Sequence, residues 1–322
     1  MNPGTRAVTD MIINKTGQIT EDFYSVGHPA IPIFLMDGKH PVVFDAGFAF
    51  LGEIYVKEIK KIIGNRQVEY LFLTHAHFDH CGSVSILKKH FPLMKVIASE
   101  KAKDILERPN AVKLIKALNK ATEKIAGDIG TDFDSSVEFI PFEVDQTVKD
   151  EDILEISNKV NIRVIKTPGH TSDCLSYYIQ EKKILISSEA AGQSDLTGYI
   201  VSDCLYDYDL YLSSLKRISL LDIEILCPGH LFVYTGDDEK KYLQESIWEC
   251  EKFLKLVEVC LDEEDGDLDR VKIRIKRIEY DSNDGPKQPE PAYLLNLEAR
   301  IKAVAKKLNK TCNRKESVLK VN

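Results

Sequence analysis

The stretch Thr74-His75-Ala76-His77-Phe78-Asp79-His80-Cys81-Gly82 holds three imidazoles and a carboxylate within six residues. The apolar run 68–73 before it predicts a buried strand, and the pattern that starts at Val84 predicts a helix. Imidazole and carboxylate groups are the ligands that borderline divalent metals prefer. We therefore predict a metal-binding turn between a strand and a helix, in preference to a histidine-rich surface loop.

The composition describes an ordinary globular chain with an acidic balance. Of 322 residues, 43% are hydrophobic and 29% are charged, which is sufficient for a sizeable core. The net charge of −8 argues against nucleic acid as a partner. Seven scattered cysteines without a CxxC pair favour reduced thiols and a cytoplasmic location. The sequence has neither a signal-peptide pattern nor an apolar run of membrane-spanning length, so we expect no membrane partner.

Short strands dominate the region before residue 236. The segment 31–45 predicts a β-hairpin that ends at Asp45, and 50–63 predicts a helix. Two amphipathic helices are expected at about 100–107 and 110–126. Further strands are expected at 137–142, 153–156, 162–166, 175–180, 184–187 and 224–227, and a further helix at 207–221.

The region after residue 236 has helical periodicity. A long amphipathic helix is predicted around 243–261, with Trp248 packed in the core. The segment 268–279 fits a strand or a helix, and a last helix is expected at 294–308. Because that last helix is amphipathic, a homodimer is among the expectations.

Three further predicted strands end at a metal-ligand type of residue. His170 and His230 each follow a Pro-Gly pair, and Glu189 follows the strand 184–187. Five of the eight histidines lie in these positions and in the first stretch. Together with two carboxylates, they are enough for two metal ions with open coordination positions.

The order and spacing of these motifs resemble the metallo-β-lactamase superfamily over about residues 20–235. The resemblance implies an α/β fold, a four-layer αβ/βα sandwich, here with a helical C-terminal extension. It also implies a domain at 1–236 with a helical insert at about 100–127, and a helical subdomain at 237–322 that covers the site. Asp45 would support the ligand turn.

The same resemblance implies how the ligands divide between two divalent metal ions. His75, His77 and His170 would hold the first ion. Asp79, His80 and His230 would hold the second ion. Glu189 stands where the family has a bridging Asp, and its extra methylene implies a wider metal spacing or a weakly held ion. A salt-bridged surface role for Glu189 is the alternative.

The segments 99–100, 110–119 and 208–215 resemble the quinolone-response branch of that family, whose members are thioesterase-like and also have a regulatory role. The segment 167–172, Thr-Pro-Gly-His-Thr-Ser, and the absence of a basic surface typical of nucleases favour an enzyme that hydrolyses a small ester or thioester, of the hydroxyacylglutathione-hydrolase type. The expected cofactors are two zinc ions, with iron or manganese as alternatives. They would share a water, lower its pKa and supply hydroxide, while Asp79 orients it or moves the proton.

Two functions from other classes remain open at this stage. One is a diiron redox protein, although that branch typically has Glu in the position of His77 and carries a flavodoxin domain. The other is a signalling or interaction protein whose metal site is secondary or vestigial. The change from Asp to Glu189 and the resemblance to the quinolone-response branch motivate this alternative.

Overall fold

A computed structural model describes residues 12–126, 137–157, 160–195, 197–282 and 288–319. The chain divides into two compact units. The first comprises Met1–Ile165, Leu175–Ser187 and Asp222–Tyr242. The second comprises Lys166–Cys174, Ser188–Leu221 and Leu243–Asn322. The domain boundary expected after residue 236 stays a prediction.

Within the described residues, the first unit contains two seven-stranded sheets. The strands of one sheet, in spatial order, are β2 (Gly17–Gln18), β3 (Phe23–His28), β4 (Ile31–Met36), β5 (Val42–Phe44), β6 (Tyr70–Phe72), β7 (Lys95–Ser99) and β8 (Gln146–Val148). The strands of the other, in spatial order, are β1 (Ile12–Ile13), β16 (Val233–Thr235), β15 (Ile225–Cys227), β12 (Ile184–Ile186), β11 (Leu175–Ile179), β10 (Val160–Lys166) and β9 (Ile153–Ser157).

Parallel pairing brings the carboxyl ends of neighbouring strands to the same edge of their own sheet. Strands β5, β6, β7 and β8 pair in parallel, as do β12 and β15. Phe44 is in register with Phe72, so Asp45 and Thr74 follow two neighbouring strand ends. The backbone N–H of Asp45 donates to the carbonyl of Phe72 at 2.9 Å. The carboxyl ends of parallel strands are where loops position functional side chains.

Adjacent residues of β6 belong to different hydrophobic clusters, because successive side chains point to opposite faces of a strand. Phe72 belongs to a cluster contributed by both sheets, where its ring lies 5.6 Å from Phe44 and 5.2 Å from Tyr177. Leu71 belongs to a second cluster, shared with helices. Those helices are α1 (Gly52–Ile63), α3 (Val84–His90), α4 (Glu100–Leu106) and α5 (Pro109–Ala126). The last two confirm the helices that the sequence predicts at 100–126.

The second unit is mainly helical. It contains a two-stranded sheet of β13 (Gln193–Ser194) and β14 (Ile200–Val201). Its helices are α6 (Tyr208–Ile218), α7 (Asp238–Glu263), α8 (Leu268–Lys276), a π-helical turn (Arg277–Asp281) and α9 (Glu290–Leu319). Helix α7 belongs to this unit from Leu243 onward. The ambiguous segment 268–279 is therefore helical, and the Asp267 side chain caps it by accepting from two backbone N–H groups. In the described part of the chain, no helix combines the length and apolar character needed to cross a membrane.

Two expectations from the sequence are wrong. Residues 137–142 form no strand, although Phe139 is buried and Ile140 is exposed. Their apolar side chains pack against the cluster that the first unit's helices share with β6. The alternation of apolar and polar residues here reflects burial of one face of the segment, without pairing to a neighbouring strand. Trp248 is 59% exposed, and the Lys252 ammonium lies 4.5 Å from its ring centre.

Replacement of Tyr177 by Phe is expected to destabilise the first unit by about 1–2 kcal/mol, the cost of a buried hydrogen bond. The Tyr177 hydroxyl, which is fully buried, donates to the Leu73 carbonyl at 2.6 Å and so ties the two sheets together just before the ligand turn. Urea denaturation measures the change. Tyr24→Phe is the control, because its hydroxyl bonds the Glu21 carbonyl at the surface, and equal losses in both variants would contradict the prediction.

Candidate metal centre

The ligand turn begins two residues after β6 and continues into a short helix, α2 (Phe78–Cys81). His77 has extended backbone angles and stands at the N-cap of that helix, while Asp79 lies in its first turn. This change from extended to helical backbone gathers the rings. The His75 ring centre lies 4.5 Å from that of His77 and 4.3 Å from that of His80.

A buried carboxylate, Asp45, holds this turn. Asp45 is 6% exposed and has a left-handed backbone, with φ 61°. Its Oδ1 accepts from the backbone N–H of Thr74 at 2.8 Å, and its Oδ2 accepts from Nδ1 of His80 at 2.8 Å. The Thr74 hydroxyl donates to the same carboxylate at 2.9 Å. Asp45 therefore stands at the strand end where the sequence expects a supporting residue.

These hydrogen bonds fix which nitrogen carries the proton on two imidazoles. The Asp45 carboxylate only accepts, so Nδ1 of His80 must donate. The hydroxyl proton of Thr74 goes to Asp45, so its oxygen accepts from Nδ1 of His75, 3.0 Å away. In both rings the lone pair is then on Nε2, which is the tautomer that a metal-binding imidazole needs.

His230 reaches the same tautomer through a backbone acceptor. It follows β15 and the turn Pro228-Gly229, and its Nδ1 donates to the carbonyl of Ala30 at 3.1 Å. A carbonyl cannot donate, so the Nε2 lone pair of His230 is again the one available for coordination.

Within the first unit, Asp79, His80 and His230 form a candidate metal-ligand group, with ligand atoms all within 4.8 Å of one another. The Asp79 Oδ2 lies 3.6 Å from Nε2 of His230 and 4.0 Å from Nε2 of His80. Ligands bonded to one ion at about 2.0–2.2 Å stand roughly 3–3.5 Å apart. The donor set and its spacing therefore fit a divalent cation.

The second unit contains the two other predicted ligands, His170 and Glu189, both buried. His170 follows Gly169, whose φ is 140°. Any larger residue at position 169 would place its Cβ 2.2 Å from the Cα of Tyr211, so only glycine fits there. Nδ1 of His170 donates to the Asp203 carbonyl at 3.0 Å, so its Nε2 also holds the lone pair.

Glu189 lies in a short 3-10 helix, Ser188–Ala191, at 2% exposure. Ser188 before it has φ 49°, a left-handed conformation that turns the chain sharply at the end of β12. The alternative role of Glu189, a salt bridge at the surface, requires an exposed side chain, and Glu189 is buried. The Tyr211 hydroxyl donates to the Glu189 carbonyl and accepts from the Asp203 N–H, each at 3.3 Å.

Asn119 supports the ligand turn, although it belongs to none of the predicted site positions. Its side-chain oxygen accepts from the Ala49 N–H at 3.0 Å, and its amide donates to the Phe78 carbonyl, inside the ligand turn, at 3.3 Å. Asn119 is 3% exposed and follows Ile115 by one helical turn on α5. An amide on the apolar face of an amphipathic helix was the available signal.

Comparison with known proteins identifies the family. The profile of the metallo-β-lactamase superfamily matches residues 30–230, which is more than half of the chain. The chain therefore belongs to the metallo-β-lactamase superfamily, whose members are largely hydrolases. The predicted fold class is confirmed, and the matched range contains all seven predicted ligand positions.

Individual relatives are distant. An uncharacterized protein of Methanocaldococcus jannaschii is 24% identical over 247 residues, 70% of this chain and 54% of that protein. The chain thus spans about half the length of that relative. A hydroxyacylglutathione hydrolase of Haemophilus influenzae is 26% identical over 210 residues, 64% of this chain and 86% of that protein. A metallo-β-lactamase family protein of Thermus thermophilus has a TM-score of 0.60 at 17% identity, covering 91% of this chain and 95% of its own, and shows the fold.

Asp45→Asn is expected to weaken metal binding about 10- to 100-fold, the usual effect of removing an outer carboxylate partner. The amide can still occupy the position, but its nitrogen cannot accept from His80 or from Thr74. Competition with a chromophoric chelator measures the affinity. Glu69→Gln is the matched control, because Glu69 accepts from His40 at 2.7 Å in a pair that belongs to no ligand group among the described residues.

Proposed function

We propose that this chain is a metal-dependent hydrolase of small esters or thioesters. The observation that carries the proposal is the group of Asp79, His80 and His230, in which both imidazoles donate through Nδ1 and so have the lone pair on Nε2. The match to a hydroxyacylglutathione hydrolase supports a thioester as the substrate class.

The proposed site has two positions for divalent ions. Asp79, His80 and His230 would hold one, and His75, His77 and His170 would hold the other. Glu189 would stand between them as a shared ligand. A divalent ion bound in such a site polarises a carbonyl and lowers the pKa of a water to near neutrality. Zinc is the proposed metal, because imidazole and carboxylate ligands suit it, with iron or manganese as the alternatives.

The chain's own residues would contribute orientation and proton transfer. The hydrogen bonds from Nδ1 fix the planes of the imidazole rings, so coordination needs little further loss of side-chain freedom. Asp79 is the carboxylate in the group of Asp79, His80 and His230, and 17% of its side chain is exposed to solvent. We propose that Asp79 accepts the proton of the attacking water and passes it to the leaving sulfur or oxygen.

The cytoplasmic location and the homodimer stay predictions. The six cysteines whose side chains the structure describes are buried thiols, which is compatible with a reducing compartment.

Asp79→Asn is expected to lower kcat/KM by about 100-fold or more, because the amide can neither accept the proton nor supply a charged ligand. The test measures metal content by plasma mass spectrometry, and turnover with a panel of hydroxyacyl-glutathione thioesters, simple esters and phosphodiesters. Asp37→Asn is the control, since Asp37 pairs with Arg66 at 2.9 Å on the surface. A wild-type chain that is fully loaded with metal but turns over no ester or thioester would refute the enzyme and favour the signalling alternative.

Glu189→Gln is expected to reduce the bound metal from two ions towards one per chain, because a neutral amide is a poor shared ligand for two cations. Glu189→Asp should retain both ions, since it keeps the carboxylate. Metal content after dialysis gives the result, and Glu224→Gln, at an exposed ion pair with Lys183, is the control. Retention of two equally tight ions by Glu189→Gln would exclude Glu189 from the bridge.

A further inference from the structure

The second unit contains a buried ion pair that the family match does not cover. Arg300 on α9 and Glu279 in the π-helical turn have side chains that are 1% and 4% exposed. The two guanidinium Nη groups donate to the two carboxylate oxygens at 3.0 and 3.1 Å. Both residues lie beyond residue 230, where the superfamily match ends.

Two tyrosines complete the surroundings of the carboxylate. The hydroxyls of Tyr199 and Tyr293 donate to separate oxygens of Glu279, at 2.9 and 3.0 Å. Burial and then the charge of Glu279 raise the pKa of both tyrosines, so the hydroxyls stay protonated and act as donors. Glu279 therefore accepts four hydrogen bonds, which fixes its position within narrow limits.

The third donor nitrogen of Arg300, Nε, bonds the segment whose backbone accepts from His170. This Nε donates to the Ser202 carbonyl at 2.9 Å, and the guanidinium carbon lies 3.9 Å from the ring centre of Phe253. The next residue, Asp203, accepts the Nδ1–H of His170 on its own carbonyl. Tyr199 starts the same segment, so the ion pair holds it at both ends.

We infer that Arg300 and Glu279 are positioning residues for His170, acting through the segment 199–203. The inference rests on the metal site of the proposed function, in which His170 is a ligand, and not on the hydrolysis of a particular substrate. The orientation of an imidazole ligand follows the acceptor on its other nitrogen, and that acceptor here is a backbone carbonyl. A carbonyl cannot be lost by a side-chain change, so its position depends on what anchors its segment. Arg300 supplies that anchor from the C-terminal helix.

The geometry requires arginine at this position. A guanidinium offers two parallel bonds to Glu279 and a third, in the same plane, to Ser202. A lysine ammonium keeps the charge that Glu279 needs, but it is a compact group that cannot reproduce this fork. Arg300→Lys therefore keeps the positive charge, which supports folding, and removes the hydrogen bond to the Ser202 carbonyl that anchors the segment.

The test is zinc affinity in the full chain, measured by chelator competition with Zn²⁺. Arg300→Lys is expected to fold, with metal-free thermal melting within a few degrees of wild type, and to bind Zn²⁺ about tenfold more weakly. Loading with Co²⁺ supplies a second measurement, because its visible absorption reports the coordination geometry. We expect the Co²⁺ spectrum of Arg300→Lys to differ from that of wild type.

Lys272→Met is the matched control. Lys272 on α8 pairs with Glu298 on α9 at 3.1 Å, so the variant removes an ion pair between α9 and the helix that precedes the π-helical turn. We expect its Zn²⁺ affinity and Co²⁺ spectrum to match wild type. Equal weakening in both variants would overturn the inference, because the effect would then belong to helix packing.

Tyr199→Phe decides the case if Arg300→Lys does not fold. It removes a single donor to Glu279 from the segment, and a several-fold loss of Zn²⁺ affinity would support the inference. Unchanged affinity and an unchanged Co²⁺ spectrum in a folded variant would overturn it. None of these measurements uses a substrate, so a failure to hydrolyse thioesters would refute the proposed function and leave the positioning role standing.

Discussion

The Asp45 carboxylate is buried at the end of β5, where an unpaired charge would cost several kcal/mol. That cost is offset because the backbone and hydroxyl of Thr74 and the imidazole of His80 all donate to it. The left-handed backbone of Asp45 is what turns its carboxylate towards the neighbouring strand end. One group thus links two parallel strands, sets the start of the ligand turn and fixes two imidazole tautomers. The parallel register of β5 and β6 is the condition for this, because it brings the two strand ends level.

The same principle recurs with backbone acceptors. Nδ1 of His230 donates to the Ala30 carbonyl in the first unit, and Nδ1 of His170 donates to the Asp203 carbonyl in the second. A backbone acceptor gives a fixed tautomer without adding a second buried charge. The position of a backbone acceptor, however, depends on how firmly the loop that carries it is held. Tyr211 on α6 accepts from the N–H of Asp203 and so helps to fix the acceptor of His170. Asn119 on α5 donates to the carbonyl of Phe78 and so supports the ligand turn itself.

The sequence predicted most of the first unit because its signals are local. The strands before Asp45, Thr74, His170 and His230 each have an apolar run and a turn, and each of these strands is present. Residues 137–142 show the limit, because alternation detects a buried face and gives no information about pairing. Trp248 shows another limit. It stands two residues before the buried Cys250, a helical step of about 200° that directs it away from the buried face.

Asp45 follows a strand and could be predicted, but Asn119 and Arg300 could not, since their roles depend on contacts between distant parts of the chain. Arg300 lies 98 positions from Ser202, and Asn119 lies 41 positions from Phe78. In sequence, an arginine in an amphipathic helix is typical of a solvated face. Arg300 differs from such an arginine because it is buried and pairs with Glu279. Tyr199 and Tyr293 donate to the same carboxylate. Motif spacing therefore suffices to propose candidate metal ligands, whereas supporting residues such as Arg300 and Asn119 emerge only when the chain is folded.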